Sequence, residues 1–232
     1  MRIVSWNCNG GFAKKAGFVE DFFPDVAVVQ ECGPAPLQCK TGKLHHTCSP
    51  GERRGISVAV GAGFDVEPAA MCIQSNYFVP YRVTGKDTFN LVAVWAKPHP
   101  QGTGYYSPYT VSAALALKDL RAFLLERDTI VIGDFNSNAI WNHQAKPTHS
   151  EIHKMLEQVG LVSAYHEFFG EKPGNETRST FRHHQNKNFY HIDYCYMPKA
   201  WLNRLRNVAI PAWPSGKAPS DHLPLIVELD DP

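Results

Sequence analysis

Apolar positions in this chain come as short runs broken by Gly, Pro, Asn and Asp, and the runs follow two different periods. Residues 2–8 (RIVSWNC) alternate apolar and polar side chains, the period of a strand, before Asn7, Asn9, Gly10 and Gly11 open a turn. Residues 13–23 place Ala13, Ala16, Gly17, Phe18 and Phe22 at helical spacing, with Pro24 as the stop. Residues 25–30 (DVAVVQ) form a continuous apolar run, a buried strand that delivers Glu31 at its end. Strand, helix and strand within about thirty residues predict a βαβ-like unit. That unit sets Asn7 and Glu31 at the carboxyl ends of neighbouring strands.

Further strands are predicted at residues 55–60 (GISVAV), 77–84 (YFVPYRVT) and 89–96 (FNLVAVWA). Val111, Leu115, Leu117, Leu120, Phe123 and Leu124 give residues 109–125 a long helical pattern that starts near Ser107 and Pro108. The β-branched run 129–132 (TIVI) is a buried strand. A helix over 149–159 ends at Gly160. Residues 191–197 (HIDYCYM) and 223–229 (LPLIVEL) are the last strands, with a short helix near 199–204. Residues 32–52 and 97–108 read as loops. Strands and helices end at GDFN and again at SDH, a loose two-fold rhythm without linker or low-complexity tract. The expected fold is one α/β domain over residues 1–232, a four-layer sandwich. Its two mostly antiparallel sheets pack face to face with helices outside.

Composition narrows the class. A chain of 232 residues, 44% hydrophobic, can fill a large core. No apolar run reaches the roughly 20 residues that span a bilayer. The start, MRIVSWNCNGG, lacks the parts of a signal peptide. A cytoplasmic monomer is expected, with no membrane span. A net charge of +1 supplies no whole-molecule attraction to nucleic acid, so polyanion binding must come from a local patch. Six cysteines without a framework spacing suit reduced thiols. Cys39, His45, His46 and Cys48 could in principle ligate zinc, but they contain no CxxC pair and suit equally a loop entering a strand.

Candidate chemistry gathers first in residues 129–138, TIVIGDFNSN. Gly133 stops the strand, and Asp134, Asn136 and Asn138 follow at every second position. Alternate side chains on an extended backbone point the same way, so Asp134 and Asn136 can project together from a strand's carboxyl end. A carboxylate can orient or protonate an oxygen, while an amide donates to a phosphoryl group without adding negative charge. Asn7, Glu31, Asp193 and the triplet Ser220-Asp221-His222 sit at other strand ends. Each alone suits a turn or cap. Together they offer carboxylates, amides and one histidine without a thiolate, which favours Mg²⁺ or Mn²⁺ over zinc.

In these motifs the sequence resembles the endonuclease/exonuclease/phosphatase superfamily, over nearly its whole length. The matches run in the family's order: Trp6-Asn7, Gln30-Glu31, Gly133-Asp134-Phe135-Asn136, His191-Ile192-Asp193-Tyr194 and Ser220-Asp221-His222. The resemblance implies the four-layer sandwich and metal-dependent cleavage of phosphoesters. It makes Glu31 the principal ligand of a Mg²⁺ or Mn²⁺ ion, with Asn7 and Asp221 close to the ion or its waters. His222 would activate water or stabilise the phosphate, with Asp193 fixing its ring. Asp134 and Asn136 would contact the attacking water and phosphoryl oxygens. Whether Asp134 or His222 takes the proton stays open. A tyrosine at the start of the long helix approaches the phosphate in the exonuclease-like branch. Tyr105, Tyr106 and Tyr109 compete for that place, and Tyr109 fits best because it opens the helical pattern.

The sequence also departs from particular branches. The second histidine of the sphingomyelinase and deoxyribonuclease branches is absent at Ala96 and Lys97, with His99 slightly too late. The Trp-rich segments of abasic-site enzymes are replaced by Thr180-Phe181-Arg182-His183-His184 and Tyr190-His191. The expected function is a divalent-metal-dependent phosphodiester hydrolase, a nuclease acting on DNA or RNA. Lys14, Lys15, Arg53, Arg54, Arg178, Arg182, His183, His184 and Lys187 would neutralise a backbone, while Tyr106, Trp141 or Phe181 stacks on bases. The alternative is a phosphatase or phosphodiesterase for a small-molecule or lipid-headgroup phosphoester, which the near-zero net charge favours.

Overall fold

The computed structural model describes residues 1–33, 43–73, 77–99, 107–143 and 146–232. In chain order the first strands are β1 (Arg2–Asn7), β2 (Val26–Cys32), β3 (Leu44–Thr47), β4 (Gly55–Val60), β5 (Phe64–Pro68), β6 (Phe78–Gly85) and β7 (Phe89–Trp95). They are followed by β8 (Thr129–Asp134), β9 (Leu161–Ser163), β10 (Phe181–Arg182), β11 (Phe189–Tyr190), β12 (Asp193–Pro198), β13 (Leu205–Ala209) and β14 (Leu225–Leu229). The helices are α1 (Ala16–Glu20), α2 (Ser107–Asp119), α3 (Arg121–Glu126), α4 (His149–Glu157) and α5 (Ala164–Phe169).

One six-stranded sheet has the order β13-β14-β1-β2-β4-β3, the other β5-β6-β7-β8-β12-β9. Each contains one parallel pair, β1 with β2 and β7 with β8, among otherwise antiparallel neighbours. The layers follow from strands that are apolar on both faces. Val26 and Val28 of β2 join Ile130 and Ile132 of β8 in the core between the sheets. Ala27 and Val29 turn outward, onto a core completed by Phe12 and Val19. Val131 likewise packs with Leu117, Leu124 and Ile152 of α2, α3 and α4. The four-layer sandwich expected from the sequence is present.

Several boundaries differ from expectation. The helix expected over 13–23 is a 3-10 turn at Phe12–Lys14 followed by the short α1. The long helix over 109–125 divides at Leu120 into α2 and α3. Residues 161–169, for which the apolar pattern predicts no element, form β9 and α5. Strands β3, β5, β10, β11 and β13 are likewise additional to those the apolar pattern predicts. The first of them takes in His45 and His46, and its neighbour Cys48 directs its thiol to the Glu52 and Arg54 carbonyls. His46 bonds Ser57 at 2.9 Å, Cys39 lies outside the described residues, and no metal group forms among those described there. The five described cysteines are free thiols. No described helix is long and apolar enough to cross a membrane.

Candidate active site

The parallel pairing of β1 with β2 places Asn7 opposite Gln30, so Asn7 and Glu31 emerge side by side as the sequence predicts. Glu31 is the extra residue of a bulge between Gln30 and Cys32, with φ 55. A left-handed conformation at a non-glycine residue is strained and is characteristic of functional positions. From the other sheet, β8 ends in Asp134, which pairs in register with Asp193 at the start of β12. Gly133 lets β8 lie close against β7 on its other side: at φ 146, a Cβ here would run into the Val94 carbonyl.

Asp134 and Asn136 do meet, though by a different route from the expected extended alternation. Asn136 has φ 48, and its backbone N–H donates 2.8 Å to Asp134 Oδ1, which closes an Asx-type turn. Its Nδ2 donates to Asp134 Oδ2 and to the Ala96 carbonyl, both at 3.1 Å. Asn136 thus clamps Asp134, with its amide turned to protein acceptors. Asn7 Nδ2 bridges Asp134 Oδ2 at 2.9 Å and Glu31 Oε1 at 3.1 Å. On the far side, His222 Nδ1 lies 2.9 Å from Asp193 Oδ2, and its Nε2 lies 3.9 Å from Asp134 Oδ2. The imidazole is therefore aimed along one line between two carboxylates.

Electrostatics distinguishes the members of this line. Burial raises the Asp134 carboxyl, the nearby Asp193 charge raises it further, and His222 and Asn7 only partly offset them, leaving it at about 7. Burial alone would lower His222, but Asp193 outweighs it and brings the imidazole up to about 9. Burial raises the Tyr109 phenol, and the charges of Asp134 and Glu31 add to the effect.

One oxygen or nitrogen from each of Asp134, Asp193 and His222 lies within 4.8 Å of the others, close enough to surround a small cation. Asp193 Oδ1 is buried without a hydrogen-bond partner. The orphaned Asp193 oxygen and the carboxylates of Asp134 and Glu31 are hard oxygen donors that fit a divalent ion. His222, held protonated beside Asp193, has no lone pair to offer one. Asp221 borders this set: the Ser220 hydroxyl donates 2.7 Å to the Asn7 carbonyl and contacts Asp221 Oδ1 at 3.3 Å.

The predicted substrate residues separate into two groups. Phe181 and Arg182 form β10, and Phe181 bridges to His222 with ring centroids 4.7 Å apart. Trp141 meets Tyr190 of β11 at 5.0 Å, so aromatic rings continue from the imidazole outward. Arg182, stacked over Phe189 at 5.5 Å, His183 and Lys187 occupy the ribbon and its turn. Tyr105 and Tyr106 lie outside the described residues. Arg178, by contrast, pairs with Glu171 and stacks on Phe169, and Arg54 pairs with Glu31. Sequence reasoning gave no role to Thr180, whose hydroxyl accepts from the Ile192 and Asp193 amides at 3.1 and 3.2 Å. Nor did it find Trp6 Nε1, which holds the His222 carbonyl at 3.0 Å. Thr180 carries no signal of its own, and the Trp6-Asn7 motif does not show which carbonyl the indole would reach.

A two-sheet sandwich that gathers carboxylates, amides and the His222 imidazole at its strand ends has the architecture of a phosphoester hydrolase. The sequence profile of the Endonuclease/Exonuclease/phosphatase family matches residues 4–222, and the chain belongs to that family. No curated protein matches it in sequence. Among solved structures it is similar to the 3' phosphatase NExo from Neisseria bound to a product DNA hairpin. The TM-score is 0.73 at 18% identity, covering 99% of each chain. An AP endonuclease from Archaeoglobus fulgidus gives 0.71 at 18% identity, also covering 99% of each. Truncated Caenorhabditis elegans TDP2 gives 0.69 at 16%, covering 99% of this chain and 96% of the other.

Proposed function

We propose that the chain is a Mg²⁺- or Mn²⁺-dependent nuclease acting on DNA or RNA, folded as one catalytic unit over residues 1–232. The observation that carries the substrate class is the ribbon beside the histidine. Phe181 packs on His222 while Arg182 and Lys187 are exposed next to it. Bases can stack where the aromatic rings continue, and cations stand where a backbone would pass. Two of the similar structures agree with this class by name, NExo with its product DNA hairpin and the Archaeoglobus fulgidus AP endonuclease.

The ion would be held by Glu31, with Asn7 and Asp221 beside it, and would neutralise charge developing on the phosphoryl group and leaving oxygen. The chain's own residues divide the remaining work. His222, kept protonated by Asp193, stabilises a phosphoryl oxygen as a cation. Asp134, raised toward neutrality and 3.9 Å from the imidazole, orients a water and accepts its proton. Asn136 fixes the Asp134 carboxylate, and the Tyr109 hydroxyl supports the phosphate. Engagement of Arg54 and Arg178 by carboxylates leaves fewer free cations, and this favours a small phosphoester as the second reading.

Cleavage of DNA, RNA, an abasic duplex and a small chromogenic phosphodiester, followed over one salt series at fixed Mg²⁺, tests the proposal. EDTA should abolish turnover of all substrates, and added Mg²⁺ should restore it. Affinity for the polymer should fall steeply with salt, because several phosphates are neutralised at once. Arg182→Ala with Lys187→Ala should raise KM for the polymer and flatten its salt slope, with little change for the small diester. Equal effects on both substrates would transfer the assignment to a small-molecule or lipid-headgroup phosphodiesterase.

A further inference from the structure

Glu31 has both carboxylate oxygens engaged. Asn7 donates to Oε1, and Arg54 Nη1 lies 2.5 Å from Oε2. The same Nη1 donates to Asn9 Oδ1 at 3.2 Å. Gly10, at φ 72, leaves the space the guanidinium fills, since a Cβ there would lie 2.9 Å from Arg54 Nη2. The backbone beneath Arg54 is also held in place. Its carbonyl accepts from the Tyr77 hydroxyl at 3.1 Å and the Cys48 thiol at 3.3 Å. Gly55 then enters β4 opposite Cys32. The chain is therefore shaped to set a cation on the outward oxygen of the bulged glutamate.

A divalent ion and a guanidinium cannot share that oxygen. Their like charges repel, and the carboxylate offers the second cation no free lone pair in the same direction. Arg54 is 47% exposed against 22% for Glu31, so the arginine can swing into water while the glutamate stays. We propose that Arg54 is an internal counter-ion, which holds Glu31 in the metal-free protein and is displaced from it when a divalent cation binds. This rests on Glu31 being a ligand of that cation. Metal loading then requires exchange, and it releases a mobile guanidinium at the rim of the site.

The test is Mn²⁺ binding to the full chain without substrate, read from the electron paramagnetic resonance signal of free Mn²⁺. Arg54→Met and Arg54→Gln both remove the cation, and either should lower the Mn²⁺ dissociation constant about tenfold. Arg54→Lys keeps the charge and should bind within about threefold of the wild type. Unchanged or weaker binding in both neutral variants, with folding confirmed by thermal melts, would make Arg54 a support for Glu31 and overturn the proposal. Glu31→Gln, made in the wild-type background, tests the underlying assignment separately. It should weaken Mn²⁺ binding, and binding as tight as wild type would show that Glu31 is no ligand.

Discussion

His222 is almost completely enclosed, at 5% side-chain exposure, with Asp193 on one ring nitrogen and Asp134 facing the other. A buried imidazolium is costly alone, so its charge depends on the Asp193 partner. That dependence predicts a non-additive pair. Asp193→Asn and His222→Ala should each slow kcat by roughly 10²–10⁴, and the double variant should be about as slow as His222→Ala alone. Losses that multiply in the double variant would mean that the two residues act separately. At this scale the sequence revealed which polar residues the fold gathers, because carboxylates, amides and histidine at strand ends are visible as types. It did not reveal their partners. Arg54 looks like one of two adjacent loop charges until Gly10 and Asn9 are seen around its guanidinium.

Among the elements, the strands buried on both faces were legible because a short, continuous β-branched run bounded by turn residues suits a buried strand and little else. The edge strands β3 (LHHT), β5 (FDVEP) and β13 (LRNVA) were not, since their side chains are largely half-buried or exposed and carry little pattern. The ribbon β10–β11 is two residues wide on each side, too short for any periodic signal. Its attachment is nevertheless specific. The Thr180 amide donates to the Tyr190 carbonyl, its own carbonyl receives the Leu223 amide, and its hydroxyl receives the first amides of the Asp193 strand. Thr180 thus links the β10–β11 ribbon, the start of the Asp193 strand and the segment entering β14. Thr180→Val keeps the shape and removes the acceptor. It should destabilise the protein by about 1–3 kcal/mol and lower kcat through misplaced Asp193. A chemical-denaturation midpoint and kcat both at wild-type values would show that the hydroxyl has no such role.

At the scale of the whole molecule, two sheets with one parallel pair each bring the ends of β1, β2, β8 and β12 to one place, and the four layers were readable from the two periods of the apolar pattern. A second buried polar region, not readable from spacing, lies under the same sheet. Tyr194 of β12 is flanked by His149 of α4, His166 of α5 and His191. Glu176 bonds His166 at 3.1 Å and Asn138 at 3.1 Å, and His153 meets His166 edge-on. Burial lowers His149 from 6.5 to about 3, with the Glu176 charge only partly opposing it. Burial would raise Glu176, but its hydrogen bonds outweigh this and hold it at about 2. Between their folded and ordinary values both groups bind a proton only in the unfolded chain, so the stability they confer is lost as pH falls. For His149 the loss begins as pH drops below 6.5 and continues toward 3; for Glu176 it begins below 4.5. Asp134 works in the opposite sense in part of this window, because its raised carboxyl binds a proton in the folded state first. The discriminating measurement is therefore a difference between variants. His149→Asn retains a polar partner for Ser137 but cannot take up the proton. Over the interval from about pH 6.5 to 5, the wild type should lose about 2 kcal/mol more stability than His149→Asn in urea unfolding. Equal losses in the two proteins would show that His149 does not govern the acid limit of this fold.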